Sequence, residues 1–265
     1  MRGKMRLSQN FESFVNTCIA NLVNRLKVFS IYIHTMATTP TQPLKKVIIS
    51  LPGKEYSSSF LMSWSETLLK LTQQGYQVAL TSDYSEYTPF TRMKSLGLDN
   101  LRGNDQKPFD GKVDYDVWLT IDSNIIFSPK QVIELIEDTD KYPVISGVHR
   151  LPDMKSISAV RTLSDEYYNE NGTYDYIKVD TLDKDIKHFD VEYSSMGFMA
   201  CKKGVIESLT HPYFNYPVKD VEVGDKTISH ILPDDASFCK RLTDAGHKIT
   251  VNTDLFVGNE KRLII

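Results

Sequence analysis

The sequence predicts an α/β fold in which a central, mainly parallel β-sheet is flanked by helices. Short apolar runs of strand length alternate along the chain with longer segments that have helical spacing. Residues that favour turns, such as Pro, Gly and Asp, separate these segments. Right-handed crossovers place the successive strands of such a chain parallel to one another. The length of 265 residues suits one large domain or two small ones.

The first strand–helix–strand unit is complete by about residue 81. Residues 46–51 form a β-branched run that ends at Pro52-Gly53, residues 58–75 have helical spacing, and residues 77–81 form a second strand. The other predicted elements are strands over residues 117–121, 143–148, 189–193 and 247–251, and helices over residues 128–137, 203–209 and 234–245. Residues 150–190, which are rich in charge and tyrosine, are expected to form an insertion or a long loop over the sheet.

The composition is that of an ordinary globular protein and excludes several classes. Hydrophobic residues make up 41% and charged residues 25%, and the formal net charge is -3, so no bulk attraction to nucleic acid or anionic membranes is expected. The three cysteines are scattered and do not indicate a disulfide framework. No apolar run reaches the roughly 18 residues that a transmembrane segment needs. We therefore expect a reduced compartment and a cytoplasmic protein.

Residues 1–43 are expected to form a leader before a domain over residues 44–265. Within the leader, residues 11–33 are apolar but interrupted by polar and charged side chains. This pattern fits an amphipathic helix on a membrane or partner, or a weak signal-like segment without a clean cleavage site. A natural start at Met36 is a further alternative. We favour a disordered leader, with peripheral membrane contact through residues 11–33 as the alternative.

A short polar segment follows the most informative of the predicted strands. Residues 117–121 run directly into Asp122-Ser123-Asn124, and ligands of open α/β sheets bind at the carboxyl ends of strands. Oxygen ligands there would hold a hard divalent cation against a diphosphate. A simple turn explains the same three residues equally well.

Two carboxylates, Asp234 and Asp235, open the predicted helix over residues 234–245. Aspartate at a helix start satisfies free N–H groups and interacts favourably with the helix dipole. A carboxylate that faces a crevice serves instead as a general base. Both interpretations hold together if Asp234 caps the helix and Asp235 faces the crevice.

Two further segments carry weaker signals. Gly197 lies between large apolar residues, where a missing side chain allows a ligand close to the backbone, although a β-bulge would explain it too. Near the C-terminus, Lys261 and Arg262 form a basic spot that would neutralise a leaving diphosphate, unless they belong to a solvated tail.

The order of these segments resembles that of the GT-A glycosyltransferases. A strand with Pro-Gly is followed by an arginine after a tyrosine-rich stretch (Arg92), Asp-x-Asn, a Gly-Phe strand, an Asp-Asp helix and a terminal Gly-x-Glu-Lys. The sequence is most similar to small, family 2-like enzymes that are often encoded by large viruses and phages. The resemblance implies a single Rossmann-like GT-A domain. It covers residues 46–262, and residues 108–127 are its most specific part.

The resemblance implies a role for each matching residue. Asp235 matches the catalytic base of inverting members. The matching metal ligands are Asp122, Asn124 and Asn259. The matching donor-binding residues are Leu51, Pro52, Arg92, Asp122, Ser123, Asn124, Gly197, Phe198 and Lys261.

Two departures from the family pattern affect the expected metal site. Asn124 stands where the motif has a second aspartate, and Asn259 stands where it has a histidine. Both changes replace a good metal ligand by a neutral amide. The resemblance therefore implies a divalent cation, Mn or Mg, that is bound weakly or replaced by Lys261 and Arg262.

The implied function is transfer of a sugar from a nucleoside diphosphate sugar, UDP-linked, to the hydroxyl of a glycan or glycosylated acceptor. It requires Asp122 and Asp235 to meet in one cleft. Asp235 as base would invert the anomeric centre, and a retaining course stays open. A degenerate relative that binds nucleotide sugar or glycan without turnover is the first alternative. A sugar nucleotidyltransferase ranks third, because residues 52–55 contain too few glycines and basic residues for the glycine-rich, basic loop that such an enzyme normally carries after its first strand.

Overall fold

A computed structural model describes residues 45–99 and 101–261. The leader predicted over residues 1–43 lies outside these ranges, as does Arg262. The strands are β1 (Lys46–Ser50), β2 (Gln77–Thr81), β3 (Val117–Ile121), β4 (Ile125–Ile126), β5 (Val144–Val148), β6 (Ser156–Val160), β7 (Tyr176–Lys178), β8 (His188–Val191), β9 (Tyr193–Ser194), β10 (Phe198–Lys202), β11 (Val218–Val223), β12 (Lys226–Ile231), β13 (Ile249–Phe256) and β14 (Gly258–Asn259). The helices are α1 (Ser58–Gln73), α2 (Thr88–Ser95), α3 (Pro129–Asp138), α4 (Asp165–Asn171) and α5 (Asp234–Asp244).

Seven strands form the central sheet, in the order β2-β1-β3-β10-β5-β13-β8. Strands β1, β2, β3, β5 and β13 point in one direction, and β10 and β8 run against them. Helices lie on both faces of the sheet. The predicted α/β fold with a mainly parallel central sheet is therefore confirmed.

The central strands are apolar on both faces because helices cover both sides of the sheet. In β3, Leu119 and Ile121 pack in the core that contains residues of α1 and α3. Trp118, whose side chain points the other way, packs in the core that contains residues of α5. This alternation follows from the two-residue period of a strand. The Trp118 indole N–H donates to Ser50 Oγ at 2.7 Å, so its one polar group is satisfied although the residue is buried.

Helices α1 and α3 begin where the sequence supplies a cap. Ser57 accepts a hydrogen bond from the N–H of Phe60, and Ser128 forms a capping box with Gln131. Pro129 occupies the first turn of α3, where its missing N–H has no cost. Helix α2 was not predicted from the sequence.

Residues 150–190 are an ordered insertion rather than a long loop. Within and after this region, β6 pairs antiparallel with β7 and β9 to form a separate three-stranded sheet. Strands β11 and β12 form a second, two-stranded antiparallel sheet, which was not predicted from the sequence.

The predicted helix over residues 203–209 is wrong. Only Ile206–Ser208 form a short 3₁₀ turn, and Gly204 has a φ of 96°, which a right-handed helix does not contain. The last predicted strand is longer than expected, because β13 continues along β5 after a shift in register. In the described part of the chain, helices that combine the length and apolarity needed to cross a membrane are absent.

Candidate functional site

The carboxyl ends of β1 and β3 and the start of β10 meet at one edge of the sheet. The N–H of Asp122 donates to the carbonyl of Gly197 at 2.9 Å. A Cβ on Gly197 would lie 3.3 Å from the Ile125 side chain and 3.5 Å from Asp122 Oδ2. The glycine therefore lets the Asp122 carboxylate lie close against the backbone that precedes β10.

Arg92, on α2, joins the two acidic segments of the sequence. Its guanidinium donates to both carboxylate oxygens of Asp122, at 2.9 and 3.1 Å, and its Nε donates to Asp234 Oδ2 at 3.1 Å. The side chain of Arg92 is 7% exposed, that of Asp234 12% and that of Asp122 27%. The loop after β3 and the start of α5 therefore lie side by side at the edge of the sheet.

The electrostatics of this cluster favour a permanently charged arginine. Burial alone would lower the pKa of Arg92, but the carboxylates of Asp122, Asp234 and Asp235 raise it overall. Removing one partner from a buried ion pair typically costs about 3–5 kcal/mol, because the other charge is left unpaired. The cluster therefore acts as a cross-link between α2, the loop after β3 and α5.

Asp235 lies next to this cluster and is partly exposed. Its Oδ2 accepts a hydrogen bond from the Tyr193 hydroxyl at 2.8 Å, and its Oδ1 accepts one from the N–H of Ala236 at 2.9 Å. Desolvation raises the pKa of Asp235, and the hydrogen bond from Tyr193 partly opposes this rise. A carboxylate with a raised pKa is a stronger base than an ordinary aspartate.

The prediction that Asp234 caps α5 is wrong. Pro233 occupies the N-cap position and makes no side-chain cap, and the first-turn N–H of Ala236 donates to Asp235 rather than to Asp234. The Asp234 carboxylate accepts from Arg92 instead. A hydrogen bond between two charged groups is stronger than the hydrogen bond of an ordinary helix cap. This explains why the Asp234 carboxylate pairs with Arg92 rather than with a helix N–H.

The two asparagines that replace the expected metal ligands are hydrogen-bonded to each other. Nδ2 of Asn124 donates to Oδ1 of Asn259 at 3.1 Å. Strands β4 and β14 pair beside this contact, and the N–H of Glu260 donates to the carbonyl of Asn124 at 2.7 Å. The segment around Asn259 therefore lies against the loop that carries Asp122.

A polar cavity of about 440 Å³ opens beside the asparagine pair. Lys54 Nζ lies 5.2 Å from the centre of the Tyr84 ring. Gly53 has a φ of 153°, and a Cβ there would lie 2.8 Å from Ser123 Cβ, so the loops after β1 and β3 touch. The cavity is lined by Lys54, Glu55, Ser57, Tyr84, Ser123, Asn124 and Glu260.

His149 belongs to the same edge of the sheet but was not predicted from the sequence. It follows β5 directly and is 7% exposed. Burial, and then the charge of Lys261, lower the pKa of His149 to about 4, while Asp122 acts in the opposite direction. The imidazole is therefore neutral near pH 7. Its position after an apolar run was the only signal in the sequence.

The residues matched to metal ligands do not fit a divalent cation well. Hard cations prefer charged oxygen ligands, and here only Asp122 carries a charge, with both of its oxygens accepting from Arg92. The oxygen of Asn259 accepts from Asn124. Over residues 45–99 and 101–261, no group of three or more His, Cys, Asp or Glu side chains is placed to hold a metal ion.

Several of the residues predicted to bind a donor lie in the core. Leu51 and Pro52 are buried, and Phe198 is 1% exposed with its ring 6.0 Å from that of Phe127. Such residues would reach a donor only through their backbone. Lys261 is exposed. The donor-binding roles of all these residues stay predictions.

No protein-family model matches the sequence, and no curated protein matches it. The solved structures with a similar fold include A197 from STIV, which is 13% identical with a TM-score of 0.47 over 83% of this chain and 96% of that chain. Another is glucosyl-3-phosphoglycerate synthase from Mycobacterium tuberculosis, in complex with Mg²⁺ and uridine diphosphate, which is 12% identical with a TM-score of 0.41 over 83% of this chain and 73% of that one. The inositol-1-phosphate CTP transferase from T. maritima is 13% identical with a TM-score of 0.40, over 82% and 89% of the two chains. At this level of similarity, the function has to be argued from the residues of the site.

Proposed function

We propose that the chain is a glycosyltransferase that moves a sugar from a nucleoside diphosphate sugar to an acceptor hydroxyl. The observation that carries the proposal is the Arg92 cluster, which joins the loop bearing Asp122 to the start of α5. Asp235, beside this cluster, is a partly exposed carboxylate with a raised pKa. A base beside a charged cluster at the carboxyl ends of strands suits group transfer to a hydroxyl.

In the proposed reaction, Asp235 takes the proton of the acceptor hydroxyl as the hydroxyl oxygen attacks the anomeric carbon. The bond between that carbon and the phosphate oxygen breaks, and the nucleoside diphosphate leaves with the electron pair. A single displacement of this kind inverts the anomeric centre. The raised pKa of Asp235 strengthens its hold on the proton that it receives.

The cavity beside Asn124 supports binding of the nucleotide part of the donor, which we propose to be UDP. The Tyr84 ring is 38% exposed and offers a flat surface to a nucleobase. Lys54 lines the cavity and offers positive charge to a diphosphate. The carboxylates of Glu55 and Glu260 suit the hydroxyl groups of a ribose or a sugar.

The proposed mechanism involves no step at a metal ion, because the matching ligands fit one poorly. A bound cation would supply charge that stabilises the departing diphosphate. In this chain we assign that task to Lys261, whose charge already acts on His149 next to the site. Comparing donor affinity with and without manganese tests this assignment.

The substitution Asp235→Asn tests the assigned base. Thermal-shift titration with UDP, GDP and their sugars, with and without manganese, first identifies the nucleotide that binds. Donor hydrolysis and transfer are then measured in Asp235→Asn, and we expect kcat to fall by about 10²- to 10⁴-fold with little change in nucleotide affinity.

The matched control is Asp244→Asn, which removes a carboxylate at the other end of the same helix. The Asp244 side chain is 62% exposed and pairs with Lys240, at 3.0 Å, four residues away. This variant should keep wild-type turnover. Wild-type turnover in Asp235→Asn would contradict the proposed role of the base.

A second candidate function is binding of a nucleotide sugar or glycan without turnover. The hydrogen bond between Asn124 and Asn259 favours it, because two expected metal ligands have become a pair of neutral amides. Nucleotide binding without hydrolysis or transfer by the wild-type protein, in the presence and absence of manganese, would support this candidate.

A further inference from the structure

Tyr193 contacts the candidate base from β9, a strand of the three-stranded insertion sheet. Its hydroxyl donates to Asp235 Oδ2 at 2.8 Å, and the residue is 7% exposed. Burial, and then the charge of Asp235, raise the pKa of Tyr193 well above its usual value. The hydroxyl therefore stays protonated and acts towards Asp235 only as a donor.

The position of the Tyr193 ring is fixed by its surroundings. Strand β9 pairs with β6 through Val160 and Tyr193, which anchors the backbone. The ring centre lies 6.3 Å from that of Tyr174 and 6.1 Å from that of Tyr176. The thiol of Cys239 on α5 donates to the carbonyl of the residue after Tyr193, so the helix and β9 are also joined directly.

Both oxygens of the Asp235 carboxylate have a defined donor. Oδ1 accepts from the N–H of Ala236 and Oδ2 accepts from Tyr193, so that rotation about the last side-chain bond is restricted. The lone pairs of the Asp235 carboxylate that accept no hydrogen bond from Ala236 or Tyr193 therefore have a fixed direction. The other charged or titratable groups around this carboxylate are Arg92, Asp234, Tyr174, Tyr176 and Cys239.

We propose that Tyr193 is a positioning residue, which orients the Asp235 carboxylate for removal of the acceptor proton. This inference rests on the proposed function. It gives a role to the three-stranded sheet of β6, β7 and β9, because that sheet carries the hydroxyl to the start of α5. Proton removal is faster when the base is already held in the productive orientation than when it has to reach that orientation in each turnover.

The substitution Tyr193→Phe removes the hydroxyl and leaves the ring. We expect kcat to fall by about 10- to 100-fold, in line with the loss of one hydrogen bond to a charged group, while KM for the donor stays unchanged. Because the hydroxyl lowers the pKa of Asp235, its removal should raise that pKa. The loss of activity on the acid side should therefore begin at a higher pH than in the wild type.

The matched control is Tyr174→Phe, which removes a hydroxyl from the ring next to Tyr193. We expect wild-type kcat and an unchanged pH profile. The double variant Tyr193→Phe with Asp235→Asn separates positioning from a general structural effect. If Tyr193 acts through Asp235, the double variant turns over as slowly as Asp235→Asn alone. A further slowing by the factor seen for Tyr193→Phe alone would overturn the inference.

The outcomes distinguish this inference from the proposed function. Absence of donor hydrolysis and sugar transfer in the wild type would contradict the function, whereas unchanged turnover in Asp235→Asn would contradict the base on which the positioning role depends. A large loss in Asp235→Asn, with wild-type kcat and pH profile in Tyr193→Phe, would overturn only the positioning role. NMR titration of the Asp235 carboxyl carbon gives a readout without turnover, and an equal pKa in the wild type and Tyr193→Phe would also overturn it.

Discussion

The two sides of the candidate site differ in how their polar side chains are held. On the side of the loop after β3, Asp122 accepts a forked hydrogen bond from Arg92, and Asn124 pairs with Asn259. On the side of α5, Asp235 is held by one hydroxyl and one backbone N–H and is partly exposed. On the first side the charged carboxylate is paired with a cation, whereas on the second side a partly exposed carboxylate is held only by neutral donors.

This difference bears on which steps of the proposed reaction the side chains of the site can support. A metal site needs charged oxygens that are available to an ion, and the paired side supplies few of them. A raised pKa makes a carboxylate a stronger base, and burial raises the pKa of Asp235. The comparison therefore favours proton transfer by the protein itself over catalysis that depends on a bound ion.

Removing the arginine that joins the two sides should have the largest effect on stability. Arg92→Met leaves the carboxylates of Asp122 and Asp234 without their partner in a largely buried place. We expect the free energy of unfolding, measured with urea, to fall by about 3–5 kcal/mol. Lys248→Met is the control, because Lys248 pairs with Asp190 at the surface and should contribute at most about 1 kcal/mol. Equal stabilities of the two variants would show that the Arg92 cluster is no cross-link.

His149 on the paired side should make stability depend on pH. The unfolded chain binds a proton at this residue below its ordinary pKa of 6.5, whereas the folded protein binds it only near the lowered pKa of about 4. Stability should therefore fall with decreasing pH within this window, by at most about 1.4 kcal/mol per pH unit.

The variant His149→Asn should lack this part of the pH dependence. Urea unfolding of both proteins at several pH values between these limits measures the difference. Parallel curves for the wild type and the variant would mean that the imidazole is not held neutral by its surroundings.

Introducing better metal ligands on the paired side should have the smallest of these effects. The double variant Asn124→Asp with Asn259→His breaks the amide pair and supplies two good ligands for a cation. We expect manganese affinity in the presence of UDP, measured by calorimetry, to rise by roughly tenfold or more. Asn171→Asp on α4, outside the site, serves as the control. Tight manganese binding by the wild type would remove the distinction between the two sides.

The features predicted from the sequence are those that depend on local pattern. Strand β3 was bounded correctly by its mainly apolar run, and α3 was placed by Ser128 and Pro129, whose chemistry favours a helix start. The shared location of Asp122 and the Asp234-Asp235 pair could also be predicted, because both lie at positions that α/β topology brings to one edge of the sheet.

The features that were missed depend on contacts between distant parts of the chain. The role of Tyr193 depends on its hydrogen bond to Asp235, which lies 42 residues away in the sequence. Asp234 does not cap α5 because it accepts a hydrogen bond from Arg92, which lies 142 residues away. Neither partner can be read from spacing. Helix α2 is a short element of eight residues with few apolar side chains, too few to give a periodic signal, although it carries the arginine on which the cluster depends.

The close contact between Gly53 and Ser123 depends on the absence of a side chain at position 53. The backbone conformation of Gly53, with a φ of 153°, is open to glycine and strained for other residues, and an added methyl group would collide with Ser123. Larger residues at this position would push the two loops apart and widen the cavity between them. The small size of glycine thus fixes how closely the loops after β1 and β3 approach each other, and with it the width of the cavity that Ser123 lines.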